Sequence, residues 1–272
     1  MRTLWQWSAL TALTLGAACS DDAGIPDARP SIDAAVPGRL ALSWTIGHDG
    51  VPLTCSQIEA SSVTFEIIQV GAAFGVVDSL GCASGMGTSR DLTPGLYDVR
   101  ITLDGAGGML DGPEARRNVK VEPGQEVALE PIAFDVDPHG DLQFRIADAA
   151  AGGSCAEAGQ GGADIATMAI ELRDGAGTCV PTTFMIAAGA TAPAATYVSD
   201  CAGATHGCIA ADQDIRASGV TAGAHALVIT GNVATAPCWK RTTTFRVRSA
   251  GLLTTLSPIQ LMRDPTVPGC AN

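Results

Sequence analysis

The chain has 272 residues and a net charge of −12 at pH 7, and only 4% of its residues are aromatic. This acidic charge disfavours binding to nucleic-acid phosphates and electrostatic docking on anionic lipid head groups, because like charges repel. The 32 glycines and 15 prolines favour a turn-rich β protein. The length allows two domains that each bury a core of their own.

Residues 1–18 have the pattern of an export signal. Arg2 supplies a positive charge, an apolar run follows over residues 4–15, and small residues at 16–18 lead into Cys19. The run is too short for a membrane span, which needs ~20 apolar residues. An ordinary secretory signal that is cleaved near Ala18 fits the same pattern.

The motif LGAACSDD resembles the lipobox of bacterial lipoproteins, in which small residues precede a cysteine that becomes acylated. The resemblance implies that lipid is attached to Cys19. The cysteine count agrees, because the chain has nine cysteines and a lipidated Cys19 leaves eight that can all pair. Ser20 in the next position resembles outer-membrane sorting signals. We therefore expect an outer-membrane lipoprotein that faces the periplasm or the exterior.

Residues 19–38 are predicted to form a disordered tether behind the acylated cysteine. They are rich in Asp, Ala and Pro and contain almost no large apolar residue. Such a composition cannot bury a core and favours an extended spacer. The segment resembles the tethers of lipoproteins from myxobacteria and related Gram-negative bacteria.

From residue 39 onward, short segments of alternating polarity predict β-strands with one exposed face. Apolar and polar residues alternate in VTFEIIQV (63–70) and in YDVRITL (97–103). No segment has the apolar periodicity of a helix. The sequence therefore predicts an all-β fold made of antiparallel β-sandwiches.

The second half of the chain repeats the order of segments in the first half. DLQFRIA (141–147) resembles RLALSWTI (39–46), and TMAIELR (167–173) resembles VTFEIIQV. AHALVIT (224–230) follows VTAG as YDVRITL follows LTPGL. We predict two tandem modules, over residues 39–136 and 137–272.

The segment LTPGLYDVRITLDG (92–105) resembles the P-G-x-Y-x-V corner of transthyretin-like and carboxypeptidase-regulatory-like modules. The resemblance implies Ig-like or transthyretin-like sandwiches. In this corner, the ring of Tyr97 enters the core after the turn at Pro94 and Gly95. The resemblance concerns architecture and implies no catalysis.

An exported chain with eight cysteines is expected to be oxidised. Cys55 and Cys82 are the only cysteines of the first module, so we predict that they pair. Connectivity cannot be deduced from sequence alone, and the pairing in the second module stays open. The pairs we expect there are Cys155–Cys201, Cys179–Cys208 and Cys238–Cys270.

Two groups of residues have the chemistry of metal ligands. Cys201, His206 and Cys208 lie close enough for part of a zinc site, but their spacing fits no common pattern and the compartment favours oxidation. Three carboxylates resemble the opening of a calcium loop around a glycine bend. They are Asp135, Asp137 and Asp141. The simpler interpretation of this second group is a polar linker between the modules.

No catalytic motif is found in the sequence. The four histidines lie in separate segments, and neither His-Glu-x-x-His nor Gly-x-Ser-x-Gly nor a glycine-rich phosphate loop occurs. We therefore predict a non-catalytic binding or structural protein without a cofactor. Its expected partners are an envelope protein or a glycan, no nucleic acid, and the membrane through the lipid anchor only.

The alternative function is a carbohydrate-binding accessory module of the cell envelope. Sugar rings stack on exposed aromatic side chains, and Trp239 in a Cys-bounded loop is the one suitable ring. Trp44 alternates with Leu40 and Leu42 and is therefore predicted to lie in the core.

Overall fold

A computed structural model describes residues 36–270, with the backbone alone for residues 113 and 114. The predicted signal peptide, Cys19 and most of the predicted tether lie outside the described residues. The described part is all-β, with 22 strands, three short 3₁₀ turns and no α-helix. It therefore contains no helix that could cross a membrane.

Nine strands build the first half of the described chain. They are β1 (Arg39–His48), β2 (Val51–Pro52), β3 (Ala60–Gln69), β4 (Val76–Gly81), β5 (Met86–Thr88), β6 (Gly95–Gly105), β7 (Gly108–Val121), β8 (Glu126–Ala128) and β9 (Ile132–Asp135), with 3₁₀ turns at Cys55–Ile58 and Cys82–Ser84. One sheet has the order β4-β3-β6-β7, and in the other β1 pairs with β2, β5, β8 and β9.

Thirteen strands build the second half. They are β10 (His139–Phe144), β11 (Ile146–Ala147), β12 (Thr167–Asp174), β13 (Cys179–Val180), β14 (Thr182–Ile186), β15 (Ala195–Ser199), β16 (His206–Gly207), β17 (Ile215–Thr221), β18 (Gly223–Val233), β19 (Ala236–Val247), β20 (Leu253–Thr255), β21 (Ile259–Gln260) and β22 (Met262–Arg263), with a 3₁₀ turn at Ala158–Gln160. Their sheets have the orders β13-β12-β18-β19-β22, with β16 beside β12, then β15-β14-β17-β10-β20, and β11-β21.

The same pairing scheme occurs in both halves. Strands β3, β6 and β7 are antiparallel neighbours, and so are β12, β18 and β19. Strand β1 pairs in parallel with β8 and β9, just as β10 pairs with β20 and β11 with β21. These are the segments that repeat in the sequence. The described residues, 36–270, belong to one compact unit, and the module boundary at residue 136 stays a prediction.

The parallel pairs depart from the wholly antiparallel sheets that the sequence predicts. They arise because the last strands of each half return beside its first strand and run in the same direction. Alternating residues show which face of a strand is buried, but they do not show the direction of its neighbour.

Each half has its own core, built by the alternation of apolar residues along the strands. In β3, the inward side chains Val63, Phe65 and Ile67 are at most 1% exposed. Their counterparts in β12 are fully buried and are Met168, Ile170 and Leu172. Complete burial of such a side chain stabilises the fold by about 1.5–3 kcal/mol.

The predicted corner at Tyr97 is present, and its counterpart in the second half contains a histidine. Tyr97 is only 5% exposed, and its hydroxyl donates to the carbonyl oxygen of Thr93 at 2.7 Å. In β18, His225 stands two residues after Gly223, and its Nε2 lies 2.7 Å from the carbonyl oxygen of Thr221. Both rings therefore bond to the backbone four residues earlier.

Polar contacts join the two halves. The guanidinium of Arg246 donates to both carboxylate oxygens of Glu59, from Nε at 2.7 Å and from Nη2 at 2.5 Å. The buried hydroxyl of Ser249 donates to the carbonyl oxygen of Ile58 at 2.6 Å. The end of β19 thus packs against the first half beside the start of β3.

Candidate functional site

Four disulfides join eight cysteines of the described chain. The bridges are Cys55–Cys82, Cys155–Cys208, Cys179–Cys201 and Cys238–Cys270, with Cα–Cα distances of 6.0, 5.6, 5.8 and 5.2 Å. Disulfides form and persist outside the reducing cytoplasm. They are therefore typical of an extracytoplasmic protein. The ninth cysteine, Cys19, lies outside the described residues.

Two of the bridges are the expected ones, and the other two correct the sequence prediction. The structure pairs Cys55 with Cys82 and Cys238 with Cys270, as expected. In place of Cys155–Cys201 and Cys179–Cys208, it contains Cys155–Cys208 and Cys179–Cys201.

The local strand pairing explains this exchange. Strands β14 and β15 form a hairpin in which Thr182 pairs with Ser199. Cys179 lies just before this hairpin and Cys201 just after it, so both lie at its open end. Cys208 donates its backbone N–H to the carbonyl oxygen of Ala166 at 3.1 Å. This places Cys208 beside the loop that carries Cys155.

The predicted metal-ligand groups do not assemble. Cys201 and Cys208 belong to different disulfides, and the ring of His206 packs edge-on against Tyr197. Among the described residues, no group of three or more His, Cys, Asp or Glu side chains is placed to hold a metal ion.

The three aspartates of the predicted calcium loop each have a different partner. Asp135 lies 3.0 Å from Nδ1 of His48, and Asp137 lies 2.8 Å from Nδ1 of His139. The carboxylate of Asp141 accepts a bond from the backbone N–H of Gly219 at 3.4 Å. The segment connects β9 to β10, which agrees with the simpler interpretation as a linker.

These histidine contacts shift two pKa values. The hydrogen bond with Asp135 raises the pKa of His48 above its usual value of 6.5, although desolvation opposes the shift. Desolvation also acts against ionisation of Asp137, but the hydrogen bonds from the ring and backbone of His139 outweigh it and lower the pKa of Asp137. Both histidine–aspartate contacts lie at the connection between the halves.

The aromatic residue proposed as a sugar platform is buried. Trp239 is 8% exposed, its Nε1 donates to the carbonyl oxygen of Ala163 at 3.2 Å, and the guanidinium of Arg263 lies over its ring. The prediction of an exposed ring was wrong, because Trp239 lies within β19 and points into the core. Trp44 is 5% exposed, which confirms its predicted place in the core.

A cavity of about 600 Å³ lies in the second half, between the β12–β13 turn and the end of β17. His225 lines it, with the ring stacked on Phe245 at 6.0 Å between centroids. A carbonyl oxygen can only accept, so Nε2 of His225 carries the proton that bonds to Thr221. Its Nδ1 is then an acceptor that is buried without a hydrogen-bond partner. The imidazole is held by the backbone and serves as a wall of the cavity.

The carboxylate in the same cavity is also held by the backbone. Oδ1 of Asp174 accepts bonds from the N–H groups of Ala176 and Thr178 at 2.9 and 2.8 Å. These bonds fix the turn that follows β12. Hydroxyl side chains complete the lining and include Thr182, Thr183 and Ser218. The arrangement suits a small polar ligand, and no hydrogen bond joins these three hydroxyls to His225 or Asp174.

A second cavity of about 460 Å³ lies beside the Cys55–Cys82 bridge in the first half. Trp44, Pro52 and Leu53 contribute its apolar walls. The Nε1 of Trp44 donates to the carbonyl oxygen of Cys82 at 3.0 Å, which fixes the ring against the bridge.

The chain was compared with known proteins by sequence and by structure. Neither a protein-family model nor a curated protein matches the sequence. By structure, the chain is similar to the TIE protein of Bacillus anthracis, with a TM-score of 0.34 and 15% identity over 84% of this chain and 34% of that one. It is also similar to a minor pilin of Streptococcus agalactiae (TM-score 0.30, 12% identity, 84% of this chain and 97% of that one).

A third likeness is to the shaft pilin spaA of Lactobacillus rhamnosus GG, with a TM-score of 0.27 and 10% identity over 84% of this chain and 100% of that one. At these TM-scores and identities, none of the three likenesses supports an inference about function.

Proposed function

We propose that the protein is a lipid-anchored structural or binding protein of the bacterial cell envelope, without catalytic activity. The observation that supports this best is the disulfide framework. The chain has nine cysteines, and eight of them close into four bridges. One thiol is left, at Cys19, in the segment that resembles a lipobox. Acylation would use this thiol and tether the folded part to the outer membrane.

The surroundings of the histidines support a non-catalytic role. His48 and His139 each contact an aspartate at the connection between β9 and β10. His225 is bound to the backbone, and the Nδ1 of His206 lies 2.9 Å from the carbonyl oxygen of Gly207. A catalytic base needs a nucleophile or substrate group within hydrogen-bond reach. These four contacts instead fix turns and connections.

Metabolic labelling tests the anchor. The full chain is produced in a Gram-negative host that is fed an alkyne analogue of palmitate, and label is detected on the purified protein. We expect the wild type and Ser20→Ala to be labelled and Cys19→Ala to be unlabelled. Ser20→Ala is the matched control, because it changes the adjacent residue and keeps the thiol.

Intact mass of the same samples completes the test. The wild type should begin at Cys19, carry acyl chains and have no free thiol. A mature protein without fatty acid, or label that persists in Cys19→Ala, would contradict the proposed anchor. The disulfides and the fold would be unaffected by that result.

A further inference from the structure

One end of the first half carries an exposed apolar hairpin tip. The turn between β3 and β4 lies within VGAAFGVV (70–77), which contains no charged or polar side chain. The ring of Phe74 is 89% exposed at this tip. Exposed apolar clusters on extracytoplasmic proteins mark contacts with a partner or a membrane.

Strand register places this tip at the end where the described chain begins. The backbone N–H of Val70 donates to the carbonyl oxygen of Leu96 at 2.9 Å. Leu96 pairs with Lys120 at the end of β7. The turn after β7 returns to the start of the described chain, where Gly124 donates to the carbonyl oxygen of Val36 at 3.2 Å. The tip and Val36 therefore lie at the same end of the sheet, separated by about three strand spacings, or ~15 Å.

Further exposed apolar side chains lie at this end. Of the twelve large apolar side chains that are exposed in the described residues, five lie at this end of the first half. We call these five the tip cluster: Val36, Val70, Phe74, Val77 and Leu96, with exposed fractions of 60, 48, 89, 55 and 45%.

We propose that the tip cluster lies against the lipid bilayer, with Phe74 in the interfacial region. The inference rests on the proposed anchor at Cys19, and it adds a protein contact to the membrane, which the sequence analysis expects through the lipid only. Only 16 residues lie between Cys19 and Val36, and a chain of this length spans at most ~60 Å. A lipid anchor at Cys19 therefore connects the protein to the bilayer through the end of the first half that carries the tip cluster.

The chemistry of the cluster fits lipid. A net charge of −12 opposes attraction to anionic head groups. An uncharged tip of Val, Ala and Phe gains by leaving water for the boundary between head groups and acyl chains, and needs no attraction between charges. Docking therefore depends on apolar contact and is insensitive to salt.

Docking at this end would also orient the rest of the chain. Strand β6 has 11 residues, so its far end lies ~35 Å from its start. The contacts between Arg246 and Glu59 and between Ser249 and Ile58 lie near that far end. The second half, with the His225 cavity, would project away from the membrane.

Tryptophan substitution and lipid quenching test the proposal. The purified acylated form of Phe74→Trp, which begins at Cys19, is reconstituted through its own lipid into phosphatidylcholine vesicles, with and without bromine on the acyl chains. The native tryptophans of this form, Trp44 and Trp239, are buried, and subtraction of the wild-type spectrum removes their signal. Met185→Trp is the control, because Met185 is 52% exposed in the second half.

We expect the added fluorescence of Phe74→Trp to shift to the blue and to lose most of its intensity in brominated vesicles. Met185→Trp should show neither change. Salt should not reverse the quenching. The substitution is expected to preserve the fold, because Phe74 has almost no buried surface.

The remaining outcomes distinguish this proposal from the proposed anchor. An acylated Phe74→Trp that is not quenched would overturn the docking and leave the anchor intact. Quenching of a protein that mass spectrometry shows to lack lipid would support the docking and contradict the anchor. A blue shift without bromine quenching, together with a doubled molecular mass, would show that the tip binds a second copy, and would overturn the proposal.

Discussion

Tyr97 and His225 have the same role in the two halves of the chain. The hydroxyl of Tyr97 donates to the carbonyl oxygen of Thr93 at 2.7 Å, and Nε2 of His225 makes the same bond to Thr221 at 2.7 Å. Each bond fixes the corner before the central strand of its sheet. The histidine has a second nitrogen, Nδ1, which is buried without a hydrogen-bond partner.

This difference predicts unequal effects of phenylalanine in the two corners. Tyr97→Phe removes the bond to the carbonyl oxygen of Thr93 and the 2.9 Å contact of the same hydroxyl with Oγ1 of Thr93. It should lower the free energy of unfolding by at least ~1 kcal/mol. His225→Phe removes the equivalent bond, but it also removes Nδ1, a buried acceptor that is unfavourable because it has no partner. We therefore expect a smaller loss in the free energy of unfolding for His225→Phe. Urea denaturation of both variants measures the difference. A larger loss for His225→Phe than for Tyr97→Phe would show that Nδ1 has a partner in solution.

Gly140 is predicted to tolerate no side chain. A Cβ at this position would lie 1.8 Å from the backbone carbonyl oxygen of Arg248. Gly140→Ala must therefore push β10 away from the end of β19, and this should lower the free energy of unfolding by ~3 kcal/mol. Gly207→Ala is the control, because nothing lies within 4 Å of its Cβ position. Equal melting temperatures for the two variants would contradict the close approach of β10 to the end of β19.

The two exchanged disulfides should differ in how much they stabilise the fold. The Cys155–Cys208 bridge closes a separation of 53 residues and Cys179–Cys201 one of 22. By loop-closure entropy, their removal should cost ~4 and ~3 kcal/mol respectively. Denaturation of the paired serine variants Cys155→Ser/Cys208→Ser and Cys179→Ser/Cys201→Ser measures this order.

Non-reducing peptide mapping checks the connectivity itself. Only the sequence AGATHG separates Cys201 from Cys208, so the digest needs a protease that cleaves after small residues. Peptides that link Cys155 to Cys208 and Cys179 to Cys201 are expected. A peptide that links Cys155 to Cys201 would restore the pairing expected from the sequence.

The His48–Asp135 ion pair predicts a dependence of stability on pH. The pKa of His48 is raised above 6.5 in the folded protein, chiefly by the hydrogen bond with Asp135. The folded state then binds a proton more tightly than the unfolded state. Its stabilisation is complete below pH 6.5 and is lost as the pH rises through the folded pKa. Because Asp135 is largely exposed, salt should weaken the effect.

Urea midpoints of the wild type and His48→Gln, measured at pH 6 and pH 8 in low salt, test this dependence. We expect the wild type to be the more stable protein at pH 6 and the two to converge at pH 8. A gap that widens with pH would contradict the predicted sign.

Local pattern in the sequence was enough to predict the strands and the corner. The alternation in β3 and β6 predicts which residues are buried, because side chains on successive residues point to opposite faces. Tyr97 follows a Pro-Gly turn at the start of such a strand, and its ring is buried as expected. The parallel pairing of β1 with β9 was not predictable in this way. It depends on contacts between residues that are more than eighty positions apart in the sequence.

The candidate sites depended on tertiary packing and were predicted less well. The exchanged disulfides follow from the β14–β15 hairpin, whose alternating segments TTFMI (182–186) and ATYVS (195–199) were the available signal. Trp239 was expected to be exposed because cysteines flank its segment, but its ring packs beneath Arg263. The unbroken apolar run at residues 70–77 was a visible signal for the tip cluster, but such a run does not show whether its side chains are buried or exposed.

The parallel pairing of its first and last strands determines how the first half would respond to a pulling force. Because β1 and β9 run in the same direction, the chain enters the first half at one end and leaves it at the other. Tension between these two points loads the hydrogen bonds of the pair together, in shear, and does not open them one after another. The pairs of β10 with β20 and of β11 with β21 repeat this geometry in the second half. In the second half, however, the Cys238–Cys270 bridge encloses β20 and β21 and carries the tension past them. A chain pulled between its two ends would therefore resist extension by shear in the first half and by a covalent bond in the second.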